Sequence, residues 1–218
     1  IKCRSAHLKP NAVVIVATIR ALKMHGGVAQ ENLSASNPEA MLAGCANLAR
    51  HIESIQQFHI PYVVCINKFT SDTEEEVRAL MNWCKENRHP VEMSDGWAKG
   101  SEGTADLAKT VAALCEQESG YQPLYPAEQP IKEKIETICT RIYGAGEVLY
   151  SEQAEQQILE FNKLGWDKLP VCMAKTPLSL TDDPHIQGRP EGFPIHVQSL
   201  SISAGAGLVE GRTGTIMR

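Results

Sequence analysis

Three short apolar runs, each followed by a loop and a helical pattern, constrain how the first half of this chain can fold. The runs are rich in β-branched residues and cover residues 12–18, 62–66 and 90–93. Two of the helices that follow have clear starts, Asn37 before a proline and Thr73 with a glutamate three residues later. Alternation of buried strands with amphipathic helices predicts an α/β fold with a parallel sheet covered on both faces.

The second half has a different pattern. Residues 120–130 hold three prolines and two tyrosines and are typical of a linker. Beyond them we predict two helices, a strand at residues 169–174, and a strand at 193–203 whose apolar positions change parity, which indicates a bulge. We therefore predict an α/β domain over residues 1–120 and a smaller α+β domain over residues 121–218.

Composition excludes some partners. The formal net charge is −5 and no block of Lys and Arg occurs, so nothing favours nucleic acid or an anionic membrane. The longest apolar runs are far shorter than the roughly 20 residues of a membrane-spanning helix.

Cysteine and histidine positions argue against a metal site. The seven cysteines are scattered and form no close pair, and the seven histidines form no HxxxH or HExxH pattern. We therefore predict no protein-bound metal and interpret most cysteines as reduced core residues of a cytoplasmic protein.

The two ends of the chain suggest a piece of a longer protein. The first residue is Ile1 rather than methionine, and the final stretch SAGAGLVEGRTGTIMR contains no predicted helix or strand. We expect further residues of the same protein outside these 218.

The candidate binding site lies at the ends of the second and third predicted strands. Residues 63–76 and 91–103 each run from a strand through a Gly-, Ser- or Asp-rich loop into a helix. Carboxyl ends of parallel strands meet at one sheet edge, where α/β proteins bind ligands. Each loop carries one aromatic residue, Phe69 or Trp97, and the two are placed to hold a flat ring. Simple packing of these rings over the sheet end is the alternative.

Seven motifs in order and spacing resemble the C-terminal half of formate–tetrahydrofolate ligase, also called formyltetrahydrofolate synthetase. Together they extend over essentially the whole chain. They are KCR at residues 2–4, TIRALKMHGG at 18–27, INKFTSDTE at 66–74, WAKGSEG at 97–103, RIYGA at 141–145, LPVCMAKTPLSLTDDP at 169–184 and SAGAG at 203–207.

The resemblance implies an ATP-dependent ligase. The γ-phosphoryl group of MgATP passes to formate, and the N10 amine of tetrahydrofolate then attacks the formyl carbon of formyl phosphate. The family holds the triphosphate with a GxxxxGK[ST] loop in its N-terminal half, and no such loop occurs here. We therefore expect a fragment that is inactive alone. The family also implies a homotetramer and activation by a monovalent cation.

The resemblance also implies which residues contact substrate. Phe69 and Trp97 match two aromatics that sandwich the pterin ring, and Met93 stands where the family often has a leucine lining the same pocket. Catalytic residues are not identified.

For the nucleotide, Asn67 and Lys68 followed by Asp72 are similar to the NKxD base-reading motif, with the aspartate two positions further along. The alternative is a strand end and a turn aspartate. A second set could offer donors to nucleotide or folate, or serve only as a turn before a helix. It consists of Lys99, Gly100 and Ser101.

Two other functions stay open at this point. One is a stand-alone folate- or nucleotide-binding module, and the other is a different P-loop ligase such as a dethiobiotin synthetase-like enzyme. Residues 175–176 and 182–183 match the family without a mechanistic role, and we predict that they contribute to a domain interface.

Overall fold

The structure, a computed structural model, describes residues 1–214. These residues form two compact units, each with its own hydrophobic core. One unit is Leu8–Gln122, and the other combines Ile1–His7 with the residues from Pro123 onwards. The predicted division into domains at residue 120 stays a prediction.

Helices and strands occur in both units. The α-helices are α1 Lys2–Ser5, α2 Ile19–His25, α3 Pro38–Gln56, α4 Glu74–Glu86, α5 Gly96–Lys99, α6 Ala105–Cys115, α7 Ile131–Thr137 and α8 Glu152–Lys163. The strands are β1 Val13–Ala17, β2 Tyr62–Asn67, β3 Val91–Ser94, β4 Glu147–Tyr150, β5 Val171–Ala174, β6 Pro194–Ser203 and β7 Leu208–Thr213. Within residues 1–214, no helix is both long and apolar enough to cross a membrane.

The Leu8–Gln122 unit contains a three-stranded parallel sheet in the order β1–β2–β3. This confirms the predicted strand–helix alternation and parallel sheet. Helices α2, α3 and α4 bury their apolar faces in one core with the sheet. Its fully buried members include Met41, Cys45, Ile52, Val64, Ile66 and Leu80.

One expectation about β1 is wrong for the described residues. The continuous apolar run predicted a strand covered on both faces, but Val14 is 38% and Val16 62% exposed. Helix α6 contacts β2 and β3, whereas the Val14 and Val16 side chains of β1 remain partly exposed.

The predicted helix starts are confirmed. The Asn37 side chain accepts a hydrogen bond from the Ala40 N–H (3.0 Å). The Thr73 hydroxyl accepts from the Glu76 N–H (3.2 Å), and the Glu76 carboxylate accepts from the Thr73 N–H (3.1 Å), a complete capping box.

The cysteine prediction holds in part. All seven cysteines are free, and four are buried, where burial raises the pKa of Cys45 to about 12 and that of Cys84 to about 11. However, Cys3, Cys115 and Cys172 are exposed. Cys115 does not belong to the core, because Leu114 is the buried residue at the end of α6.

The second unit contains a mixed four-stranded sheet in the order β4–β6–β7–β5. β4 is parallel to β6, β6 is antiparallel to β7, and β7 is parallel to β5. A register shift between Val197 and Ser199 confirms the predicted bulge. Helix α7 continues as a π-helix, Ile138–Tyr143, which ends at Gly144 with φ +87°.

The expectation of no strand near the end of the sequence is wrong. Leu208–Thr213 forms β7, which pairs with both β6 and β5 and so lies inside the sheet. Gly207, with φ +62°, makes the turn that starts it. The remainder of the predicted tail, residues 215–218, lies outside the described residues.

Candidate functional site

The carboxyl ends of β2 and β3 lie side by side in the Leu8–Gln122 unit. The strands are parallel, Asn67 is aligned with Ser94, and the Lys68 N–H donates to the Ser94 carbonyl (3.0 Å). Both following loops therefore leave the sheet at the same edge, as the sequence predicted.

The first loop is a tight turn that ends at the cap of α4. The Phe69 N–H donates to Asp72 Oδ2 (2.8 Å), and the Asp72 N–H donates to the Phe69 carbonyl (3.0 Å). Asp72 is buried, but the Phe69 side chain remains 42% exposed. The turn thus leaves an aromatic ring outside the core, next to a buried aspartate.

The second loop is closed by its glycines. The Asp95 N–H donates to the Gly103 carbonyl (2.9 Å), and a Cβ on Gly103 would lie 2.3 Å from the Asp95 carbonyl oxygen. Gly100 has φ +58° and ψ −139°, a conformation that side chains disfavour. The short helix α5, which ends just before Gly100, carries Trp97, and this residue is 85% exposed.

Charged side chains of opposite sign surround the two loops. Lys68 pairs with Glu74, and Lys99 pairs with Asp95 (3.1 Å). The hydrogen bond that Lys68 donates to Glu74 raises the pKa of Lys68, and the same bond lowers the pKa of Glu74, with a smaller contribution from Lys99. The influence of Lys99 on Glu74 indicates that charges from the two loops lie close together.

Similarity to known proteins identifies the family of this chain. The sequence model of the family described as formate–tetrahydrofolate ligase matches residues 1–218. The chain belongs to the formate–tetrahydrofolate ligase family. A curated formate–tetrahydrofolate ligase from Paracoccus denitrificans is 49% identical over 217 residues, which is 100% of this chain and 39% of that relative. The chain therefore spans well under half the length of the relative that it matches.

The fold brings most of the residues suggested by the ligase resemblance to one sheet edge. Asn67 is the last residue of β2, Lys68 and Phe69 follow it, and Trp97 and Lys99 follow β3. What these residues bind stays a prediction.

Met93 and the rest of the second loop are placed differently. Met93 is half-buried in β3 and lines a cavity of about 310 Å³ with Asp95, Lys99 and Gly103. Neither Phe69 nor Trp97 lines this cavity in the described structure. Ser101 is exposed, and its carbonyl accepts from the Thr104 hydroxyl (3.0 Å), which supports a turn role for this residue.

One buried group near the site was missed by sequence reasoning. Glu76 is fully buried and accepts from Lys23 Nζ (3.0 Å) and the Asn37 N–H (2.9 Å) in addition to Thr73. Burial raises the pKa of Glu76, but the hydrogen bonds from Asn37, Thr73 and Lys23 outweigh it and leave the pKa below its usual range. The capping box gave the glutamate, but no local pattern indicated a lysine 53 positions upstream.

The family-matched residues of the second unit line a larger cavity of about 700 Å³ at the end of β5. Lys175 Nζ donates to the carbonyls of Thr176 (3.0 Å) and Ser179 and lies 5.0 Å from the Tyr143 ring centre. Burial lowers the pKa of Lys175. In the same cavity Asp182 Oδ2 accepts from the backbone N–H of His196 (3.0 Å). A domain-interface role for these residues stays a prediction.

No group of three or more His, Cys, Asp or Glu side chains within residues 1–214 is arranged to hold a metal ion. The carboxylates beside the loops are paired with lysines instead, as Asp95 is with Lys99.

Proposed function

We propose that this chain is part of an ATP-dependent formate–tetrahydrofolate ligase and that Phe69 and Trp97 form its pterin-stacking wall. The observation that carries the proposal is the exposure of these two rings, 42% and 85%, at the ends of adjacent parallel strands. The carboxyl ends of parallel strands are where α/β proteins bind ligands, and exposed rings there can stack on a flat ring. Family membership supplies the ligand class.

In the proposed reaction, formate attacks the γ-phosphorus of ATP and ADP leaves, which gives formyl phosphate. The N10 amine of tetrahydrofolate then attacks the formyl carbon, and phosphate leaves to give 10-formyltetrahydrofolate. Both steps depend on positioning more than on new covalent chemistry by the protein. Stacking between two rings contributes about 0.5–1.5 kcal/mol per aromatic contact beyond area burial and fixes the plane of the pterin.

Polar groups beside the wall are proposed to orient the substrates. Asn67, Lys68, Lys99, Gly100 and Ser101 offer amide, ammonium and backbone donors at the same sheet edge. In the described structure both lysines are neutralised by carboxylates, Glu74 and Asp95, so a bound anion would have to compete with these partners.

Metal ions are not assigned to this chain. Mg²⁺ would neutralise ATP phosphates when bound, and residues 1–214 contain no group of three or more His, Cys, Asp or Glu side chains arranged to hold a metal ion. No role proposed for these residues depends on such an ion.

The phosphate-binding half is proposed to lie elsewhere in the protein. These 218 residues contain no GxxxxGK[ST] loop, and they span 39% of the relative. We therefore expect the chain alone to be inactive and the complete protein to be a cytoplasmic homotetramer. Seven free cysteines support a reducing compartment. The family match also favours this ligase over a dethiobiotin synthetase-like enzyme.

The test is tetrahydrofolate binding by calorimetry, under anaerobic conditions, in the 218-residue chain and in the complete ligase that contains it. We expect Trp97→Ala and Phe69→Ala each to weaken binding by about tenfold or more, because a buried stacking surface is lost. Leu159→Ala is the matched control, since Leu159 is a 59% exposed apolar residue of the second unit.

Two outcomes separate the alternatives. Binding by the complete ligase but not by the 218-residue chain would mean that the missing part completes the pocket. Unchanged affinity in Trp97→Ala within the complete ligase would overturn the stacking wall.

A further inference from the structure

Two buried carboxylates flank Thr73, and they differ in how they are satisfied. Glu76 receives four hydrogen bonds, from Lys23, Asn37 and both donors of Thr73. Asp72 receives one, from the Phe69 N–H to Oδ2. Its other oxygen, Oδ1, is completely covered and accepts no hydrogen bond from any residue in the described part of the chain.

An unpaired buried carboxylate oxygen is unfavourable and needs an explanation. Most buried polar atoms find a partner, and each one that does not calls for a specific reason, such as a functional role or a bound water. Lys68 lies close enough for the charge of Asp72 to influence its pKa, yet its ammonium group is bound to Glu74. The turn therefore contains a carboxylate oxygen that can still accept a hydrogen bond, and this oxygen belongs to the same turn as the exposed Phe69 ring.

The position of Asp72 connects this acceptor to the stacking wall. The Asp72 carboxylate accepts a hydrogen bond from the backbone nitrogen of Phe69 (2.8 Å), the residue proposed to hold the pterin. Asp72 is only 7% exposed. A ligand therefore reaches Oδ1 only if the short turn shifts as a ring enters beside Phe69.

The chemistry of the pterin ring fits such an acceptor. Its pyrimidine edge presents two neighbouring donors, the 2-amino group and N3–H, and a carboxylate oxygen accepts from such donors without providing one. The edge is the same as that of guanine, the base whose donors are read by the aspartate of the NKxD motif that residues 67–72 resemble. Adenine presents only its amino donor beside an acceptor nitrogen.

We infer that Asp72 Oδ1 accepts a hydrogen bond from the 2-amino edge of the pterin ring stacked against Phe69. Asp72 is then a specificity-determining residue that contacts the substrate, and the inference rests on the proposed function. It assigns Asp72 to the folate rather than to the adenine, which was the expectation from the sequence.

The test compares two ligands in the complete ligase: tetrahydrofolate and its 2-desamino-2-methyl analogue, which lacks the amino group. The Asp72→Asn variant retains an oxygen for the Phe69 N–H and replaces the unpaired oxygen with an amide NH₂. We expect the wild type to prefer tetrahydrofolate by about tenfold, the effect of one charge-assisted hydrogen bond, and Asp72→Asn to lose this preference.

Two variants serve as controls. Glu86→Gln changes an exposed carboxylate at the last residue of α4, in the same unit, and should keep the full preference. Glu76→Gln changes the satisfied buried carboxylate and should lower stability but leave the preference intact in the molecules that fold.

The outcomes distinguish this inference from the proposed function. If the wild type shows no preference for the 2-amino ligand, the inferred role of Asp72 is wrong. This result needs no variant, so the inference can be tested even if Asp72→Asn does not fold. A full preference in Asp72→Asn overturns it as well. If Trp97→Ala binds both ligands as tightly as the wild type, the proposed stacking wall itself is wrong.

Discussion

Each unit of the molecule buries a lysine, and the two lysines are satisfied in different ways. In the Leu8–Gln122 unit, Lys23 is 1% exposed and pairs with the Glu76 carboxylate while also donating to the Ala35 carbonyl (2.9 Å). In the second unit, Lys134 is fully buried and donates to two backbone carbonyls, those of Asp167 (2.5 Å) and Leu169 (3.0 Å).

The difference concerns what remains when the lysine is removed. Loss of Lys23 leaves a buried negative charge without its cationic partner, whereas loss of Lys134 leaves two neutral dipoles. Accordingly, burial lowers the pKa of Lys134, with only minor compensation from the charge of Asp167. An ion pair is therefore the more fragile arrangement toward single substitutions, although both ammonium groups are equally hidden.

The largest expected effect comes from Lys23→Met, which keeps the side-chain length and removes the charge. We expect the Leu8–Gln122 unit to lose about 3–5 kcal/mol of unfolding free energy, because Glu76 is left charged and buried. Hydrogen exchange of peptides from each unit measures the change separately for the two units.

Two further variants sharpen this result. Adding Glu76→Gln removes the stranded charge and should restore part of the loss. Lys109→Met, which breaks an exposed pair with Asp106, should change stability by less than about 1 kcal/mol. A Lys23→Met loss no greater than that of Lys109→Met would contradict the claim that the buried Glu76 charge depends on Lys23.

A smaller effect is expected for Lys134→Met. Two carbonyls lose their donor, which costs about 1–3 kcal/mol in total, while removal of a buried charge offsets part of the cost. The change should appear in exchange of peptides from the second unit only. If Lys134→Met lost as much unfolding free energy as Lys23→Met, then carbonyl partners and a carboxylate partner would make a buried ammonium group equally important for stability.

The smallest expected effect is a pH dependence of the second unit. Because the pKa of Lys134 is lower in the folded state, the unfolded state binds more protons between that value and the ordinary 10.5. Stability contributed by this site should therefore rise with pH within that window. The difference between wild type and Lys134→Met, measured from pH 7 to about 9.5, isolates the effect from Lys175, whose pKa is also lowered. A difference independent of pH would contradict the lowered pKa.

Local signals in the sequence predicted local structure well. The cap at Asn37, the capping box at Thr73 and the bulge near Val197 each depend on residues a few positions apart, and all three are confirmed. Strand–helix alternation in the sequence predicted the parallel sheet. A parallel sheet in turn predicted that the loops of Phe69 and Trp97 lie at one edge.

Long-range contacts were not predictable in this way. The partner of Glu76 is 53 residues away, and the unpaired oxygen of Asp72 depends on atoms that no spacing rule identifies. β7 was missed because Gly207, Gly211 and Gly214 weaken the strand pattern, although the close approach of the Met173 sulfur to residue 211 favours a glycine there. Inward faces of short helices were also uncertain, as Cys115 shows.

The unpaired edge of β1 has a practical consequence for the isolated 218-residue polypeptide. β1 pairs only with β2 among the described strands, so its other edge presents unused N–H and C=O groups, and Val16 beside them is 62% exposed. An open edge with apolar side chains is a template for pairing with another copy of itself. Concentrated solutions of the isolated 218 residues should thus be prone to cloudiness and precipitation, independently of whether the folate loops are intact.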